Sequence, residues 1–187
     1  MNNTLATPLE HFDYEKESIR LLFDNHYAAS MLQYKEHVPH VGSLPLNQEL
    51  LEKTFPRLCS SIKKITNKGD KFFARFFITI PKSKGSIHID TANGVKDCFR
   101  NWALNIPIAN CAGTFHEWYD MHQTPYTVFE HSALYWKNYS SGTLIDKHEL
   151  TVASILSVST PHRINNPLNS YRIVLSVRTE SDVFNIN

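Results

Sequence analysis

After Asn67-Lys68-Gly69-Asp70 the chain changes character, and its C-terminal two-thirds limits the fold more than any other feature. Short runs rich in β-branched and aromatic residues succeed one another: 71–80 (KFFARFFITI), 86–90 (SIHID), 101–108 (NWALNIPI), 124–131 (TPYTVFEH), 150–160 (LTVASILSVST) and 170–179 (SYRIVLSVRT). Gly, Pro, Asn and Ser separate them, as turn residues separate strands. Upstream, Ile19, Leu22, Phe23, Tyr27, Met31 and Tyr34 recur at helical intervals, predicting a helix from Tyr14 to about Tyr34. A second helix is expected from Asn47, a capping residue, to about Ile65, with Pro56 kinking or dividing it. Residues 1–70 are therefore read as mainly helical, and 71–180 as the strand-built core of a single 187-residue domain. Two helices ahead of so many short strands predict a mainly β sandwich or barrel, with the helices backing one sheet.

Hydrophobic residues make up 42% of the chain, including 11 Phe and 8 Tyr, which is enough to bury a core without disulfides. Nineteen Lys and Arg against 18 Asp and Glu leave a net charge of +1, so no strong field draws the chain to nucleic acid, and no such partner is expected. No apolar run reaches bilayer length, and the opening MNNTLATPLEHFDYEKES lacks the apolar centre of an export signal. Cys59, Cys98 and Cys111 show neither zinc-ribbon nor redox spacing. These features predict a cytoplasmic protein without a membrane partner.

Strand alternation divides two of the runs into faces. In 170–179, Tyr171, Ile173, Leu175 and Val177 share one face, and Arg172, Val174, Ser176 and Arg178 share the other. If helices cover the first face, the second lines a cavity where an arginine has an anion to hold. In 101–108, Trp102, Leu104 and Ile106 make a bulky face, while Ala103, Asn105 and Pro107 make a small one with a single amide. That is what a pocket wall requires, since room and a hydrogen-bonding handle must coexist. A structural amide satisfied by a neighbouring turn is the alternative reading of Asn105.

His88 and Asp90 stand two positions apart, so on a strand they share a face at roughly 6–7 Å and can converge on one metal ion. The other copy of this pattern, His11-Phe12-Asp13, precedes a helix and is read as a surface pair. Support for the later copy comes from 157–178 (SVSTPHRINNPLNSYRIVLSVR), where His162 follows a β-like run and Arg172 returns ten residues later, after a turn rich in Asn and Pro. Two imidazoles and one carboxylate on one face of an ion leave three positions open.

His88-x-Asp90, then His162, then Arg172 resembles the Fe(II)- and 2-oxoglutarate-dependent oxygenase superfamily over residues 71–179. The compact length and the WALNIPIANC stretch are similar to small prolyl and aspartyl/asparaginyl hydroxylase-like members. The resemblance implies a double-stranded β-helix, a jelly-roll, cupin-like barrel backed by helices. It makes His88, Asp90 and His162 the Fe(II) ligands and Arg172 the partner of the distal carboxylate of 2-oxoglutarate. It implies O2 as cosubstrate, release of succinate and CO2, and hydroxylation of an unactivated C–H of a small molecule or of an amino-acid or peptide side chain. Many members carry a serine two positions after that arginine. Here Val174 occupies the position, so a second carboxylate contact falls to Asn105 or an aromatic hydroxyl. Arg100, Trp118 and Tyr119 are candidate substrate contacts. Two other classes stay open: a cupin-like hydrolase or isomerase using zinc or another divalent ion, and a non-catalytic ligand-binding barrel.

Overall fold

The computed structural model describes residues 4–32, 40–43, 45–90, 100–121, 126–131, 134–139 and 141–185, with 40–41, 126–131 and 134–138 as backbone alone. His37, Cys98 and His122 lie outside them. Among the described residues, no helix is long and apolar enough to cross a membrane.

Both expected helices form, each in two pieces. α1 (Lys16–His26) and α2 (Ala28–Leu32) part at Tyr27, whose N–H still bonds to Phe23 O. α3 (Gln48–Thr54) starts at Asn47, whose side chain accepts the Leu50 N–H. α4 (Pro56–Ile65) opens on Pro56, which lacks an N–H and so begins a helix more readily than it continues one.

The strands are β1 (Ala6–Pro8), β2 (His40–Gly42), β3 (Phe72–Thr79), β4 (Ser83–Lys84), β5 (Ile87–Ile89), β6 (Trp102–Ala109), β7 (Phe115–Asp120), β8 (Tyr126–His131), β9 (Leu134–Tyr139), β10 (Thr143–Glu149), β11 (Ser154–Ser157), β12 (His162–Asn166) and β13 (Arg172–Thr179). The major sheet has the order β1-β11-β6-β13-β3-β2. The minor sheet runs β10-β7-β12-β5-β9-β8, with β4 beside β12. From β3 onward the chain passes back and forth between the sheets: β3 major, β5 minor, β6 major, β7 and β10 minor, β11 major, β12 minor, β13 major. That winding of eight antiparallel strands is a jelly roll.

The expected jelly roll forms as two facing sheets that stay open among the described residues, with edge strands β1 and β2 in one and β10 and β8 in the other. The segment 1–70 is mainly helical, and its two short strands, β1 and β2, extend the edges of the major sheet. One expectation needs correction. The run 150–160 supplies only the four residues of β11, while β7, β9, β10 and β12 form where no strand was predicted.

The faces fall as the alternation requires. Phe72, Ala74, Phe76 and Ile78 of β3, Leu104, Ile106 and Ile108 of β6, and Ile173, Leu175 and Val177 of β13 pack against Ile19, Phe23, Leu51, Leu58 and Ile62 of the helices. This cluster is the main core and removes the outer face of the major sheet from water. The inner face of that sheet is left to build the site.

Candidate metal centre

β5 and β12 are neighbours with His88 directly opposite His162, so two imidazoles far apart in the chain share one face. Their ring centroids are 4.5 Å apart. Asp90 follows β5 on the same face and is anchored through its backbone, with its N–H bonded to Val158 O and its carbonyl accepting the Arg100 N–H. Asp90 Oδ1 lies 3.4 Å from His88 Nε2 and 4.0 Å from His162 Nε2. Among the described residues, these three make the one cluster whose ligand atoms all lie within 4.8 Å of one another.

The imidazoles are held for ligation. His88 Nδ1 is 2.9 Å from Ser86 O, and His162 Nδ1 is 2.9 Å from Thr160 O. A carbonyl only accepts, so in the neutral rings Nδ1 carries the proton and the Nε2 lone pair turns toward Asp90. Burial, then the neighbouring His88, push His162 down to about 4, so it stays a neutral donor. Burial would also lower His88, but its bond to the Asp90 carboxylate outweighs that and raises it. Burial would raise Asp90, yet the His88 bond and the Arg178 charge hold it well below the usual carboxylate range.

Arg178 divides the carboxylate. Its Nη2 donates to Asp90 Oδ2 at 2.6 Å and its Nη1 to Ser176 Oγ at 2.8 Å, which leaves Oδ1 facing the imidazoles. The alternation of β13 had put Arg178 on this inner face, but the residue it would meet there was not legible.

Arg172 is 1% exposed on the same face. Its Nε donates to Thr114 Oγ1 at 3.1 Å, Thr114 Oγ1 in turn donates to Cys111 O, and Nη2 is buried without a partner among the described residues. Thr114, His116 and Trp118 succeed one another at two-residue spacing on one face of the β7 segment, so His116 lies between the Arg172 end and the metal end. Its ring stacks on His162 at 4.5 Å and 20°, and both of its nitrogens are buried without a partner among the described residues. Burial, then the His162 and Arg172 charges, hold it well below the ordinary histidine value. Asn105, on β6 opposite Ser176, also faces inward with Oδ1 buried and likewise unpartnered.

The structure does not bring all the predicted residues together. Trp118 is 0% exposed on the inner face, its indole N–H donates to Ser157 O and its ring centroid lies 4.6 Å from that of His116. Tyr119 points from the opposite face of β7, where its hydroxyl donates to Glu117 and Arg163 lies over its ring. Arg100 is buried near the site, with Nη1 donating to Thr179 O and the guanidinium over Phe73. The first copy of the motif stays at the surface, where Asp13 pairs with Arg57. The polar and aromatic richness of the run around His116 is the one sequence signal that residue carries; Thr114 carries none, and Arg75 interrupts an otherwise apolar strand.

The site fits a divalent metal and an acid ligand. The donor set is two imidazole nitrogens and one carboxylate oxygen, and the orphaned Arg172 Nη2 and His116 need an acceptor that the described residues do not provide.

No protein-family model and no curated relative matches this sequence. Solved structures similar to it include a Pseudomonas putida prolyl-4-hydroxylase, at 12% identity over 99% of this chain and 94% of that one, TM-score 0.47. A 2OG-Fe(II) oxygenase family oxidoreductase from Burkholderia pseudomallei matches at 9% identity over 95% of this chain and 86% of that one, TM-score 0.43. An oxalate decarboxylase from Lactobacillus farciminis matches at 9% identity over 79% of this chain and 30% of that one, TM-score 0.35.

Proposed function

We propose that the protein is a non-haem Fe(II)- and 2-oxoglutarate-dependent oxygenase acting on a small molecule or an amino-acid side chain. The metal ligands in this reading are His88 Nε2, Asp90 Oδ1 and His162 Nε2. The observation that carries it is a His-Asp-His cluster on the same inner face as a fully buried arginine that has no counter-charge among the described residues. A buried guanidinium left unpaired is costly, and a carboxylate from a ligand removes that cost through a charge-assisted bond.

When bound, ferrous iron and 2-oxoglutarate supply oxidation of a C–H bond coupled to release of succinate and CO2. The chain's own residues supply placement. Arg172 holds the distal carboxylate, and Thr114 fixes the arginine by accepting from its Nε. His116 offers an N–H beside the ligand, and Asn105 Oδ1 offers an acceptor to a donor on the substrate. Arg178 keeps Asp90 ionised and occupies its second oxygen, so among the described residues three ligand atoms come from the protein.

The same donor set suits zinc, which makes a hydrolase the competing reading. Anaerobic loading with Fe(II) and 2-oxoglutarate, followed by admission of O2, separates the two. Oxygen-dependent succinate formation is the expected result, and Arg172→Gln raises the 2-oxoglutarate concentration for half-maximal turnover at least about ten-fold, as loss of a charged hydrogen bond does. Turnover with zinc in the absence of 2-oxoglutarate would assign the site to hydrolysis instead.

A further inference from the structure

The inner face of the major sheet carries a row of polar residues that the acid-ligand site does not use. Ser154 of β11, Asn105 of β6, Ser176 of β13 and Arg75 of β3 are successive register partners, so they cross four strands on one face. Arg75 ends the row. Phe73 and Phe77 flank it on the same face of β3, all three half-buried where the rest of the strand is buried. Arg178 stands diagonally across from Arg75, roughly 7–8 Å away along the backbone, and grips the metal-binding carboxylate.

The cations on and beside this face are not equivalent. Arg178 has Asp90, Arg172 has Thr114 and faces the acid ligand, and Arg100 has Thr179 O. Arg75 lies over the Phe73 ring, with its guanidinium carbon 5.9 Å from the centroid. Its Nε is buried with no acceptor, and among the described residues no carboxylate pairs with it. Burial and the Arg178 charge both press its pKa down, which marks it as a desolvated cation beside a like charge. Such a group has a reason to be there if an anion completes it. Aromatic walls on either side leave its fork open for bidentate contact with a planar or tetrahedral oxyanion.

We infer that Arg75 binds an anionic group of the substrate, a carboxylate or a phosphate, and so selects acidic substrates at the mouth of the metal site. The inference rests on the oxygenase reading and adds the substrate's charge to it. Arg100, expected from sequence to take that role, is already engaged by Thr179 O.

The test uses protein loaded with Mn(II) and saturating 2-oxoglutarate, so that Arg172 is occupied, with inorganic phosphate and acetate as separate probes. Paramagnetic broadening of the phosphorus and acetate-methyl resonances reports an anion held near the metal, and bulk-water relaxation reports metal binding by itself. Saturable broadening is expected for the native protein by one probe or both, and the stronger identifies the preferred oxyanion. Arg75→Gln weakens it at least ten-fold with water relaxation unchanged, and Arg75→Lys restores part of it. Equal broadening in Arg75→Gln and native protein, or none in either, overturns the assignment while leaving the oxygenase reading intact. Failure of the native protein to alter water relaxation by Mn(II) instead removes the metal site, and the assignment goes with it.

Discussion

Asp90 shows how much one side chain's orientation decides. A carboxylate with both oxygens free can chelate a metal, whereas here Oδ2 accepts from Arg178 at 2.6 Å and only Oδ1 turns to the imidazoles. The guanidinium also partly neutralises the acid, which weakens its attraction for a cation. Both effects act in the same direction when Arg178 is removed: the carboxylate gains charge density and a second donor atom. Arg178→Gln is therefore expected to bind Mn(II) as tightly as the native protein or more tightly. The second oxygen then competes for a position that 2-oxoglutarate needs, so the acid's affinity for the Mn(II) form falls about ten-fold, near 1.4 kcal/mol. Sequential calorimetric titrations, metal first and acid second, measure both steps. A large loss of metal affinity would mean that Arg178 serves chiefly to orient Asp90.

At the scale of elements, alternation explains what was legible. β13 and β6 each carry one apolar face and one mixed face, and the structure seats the apolar faces under the helices as the period-two pattern demands. β7 escaped notice because neither of its faces is simply apolar: His116 and Trp118 point inward, while Glu117 and Tyr119 make a polar network with Arg163 and Asn165 outside. β12 reads as loop for the same reason, since it puts His162 and Asn166 inside and Arg163 and Asn165 outside. Strands that build a site lose the hydrophobic signal by which strands are recognised. The cross-sheet meeting of Arg178 with Asp90 was invisible because it depends on how the two sheets stack, which no local pattern encodes. β3 offers a direct test of the two-faced design. Phe76 is fully buried, 5.2 Å from the Phe23 ring, while its neighbours Arg75 and Phe77 face the site. Phe76→Ala is expected to cost about 3–5 kcal/mol in urea unfolding. Mn(II) affinity of the folded variant stays within about two-fold of native, because the lost contacts lie on the helix side. A variant that keeps its stability but loses the metal would place Phe76 on the wrong face.

For the whole molecule, the site's buried histidines set how the metal-free protein answers to pH. His116 is held well below its ordinary value, His162 is pushed down to about 4, and His148 is lowered as well, in each case first by burial. Their unfolded counterparts take up protons near pH 6.5. Between about pH 6.5 and 4 the unfolded chain therefore binds more protons than the folded one, and stability falls as the solution is acidified. Each such group contributes at most about 1.4 kcal/mol per pH unit. His88 has the opposite sign. Its raised value gives stability that is fully present below pH 6.5 and is lost as the pH climbs through the folded value, so it does not offset the acid loss. Asp90 and Glu117, both lowered, add their own loss only further down, as the pH falls below the unfolded carboxylate values near 4. The expectation is a decline in urea midpoint from about pH 6.5 downward, shallower in His116→Phe because one buried imidazole no longer resists protonation. Mn(II) steepens the decline, since its ligands must be unprotonated to hold it. Midpoints measured across that range with chelator and with Mn(II) check both statements. An unchanged slope in His116→Phe would mean that this ring is not the neutral, desolvated group its position between His162 and Arg172 requires.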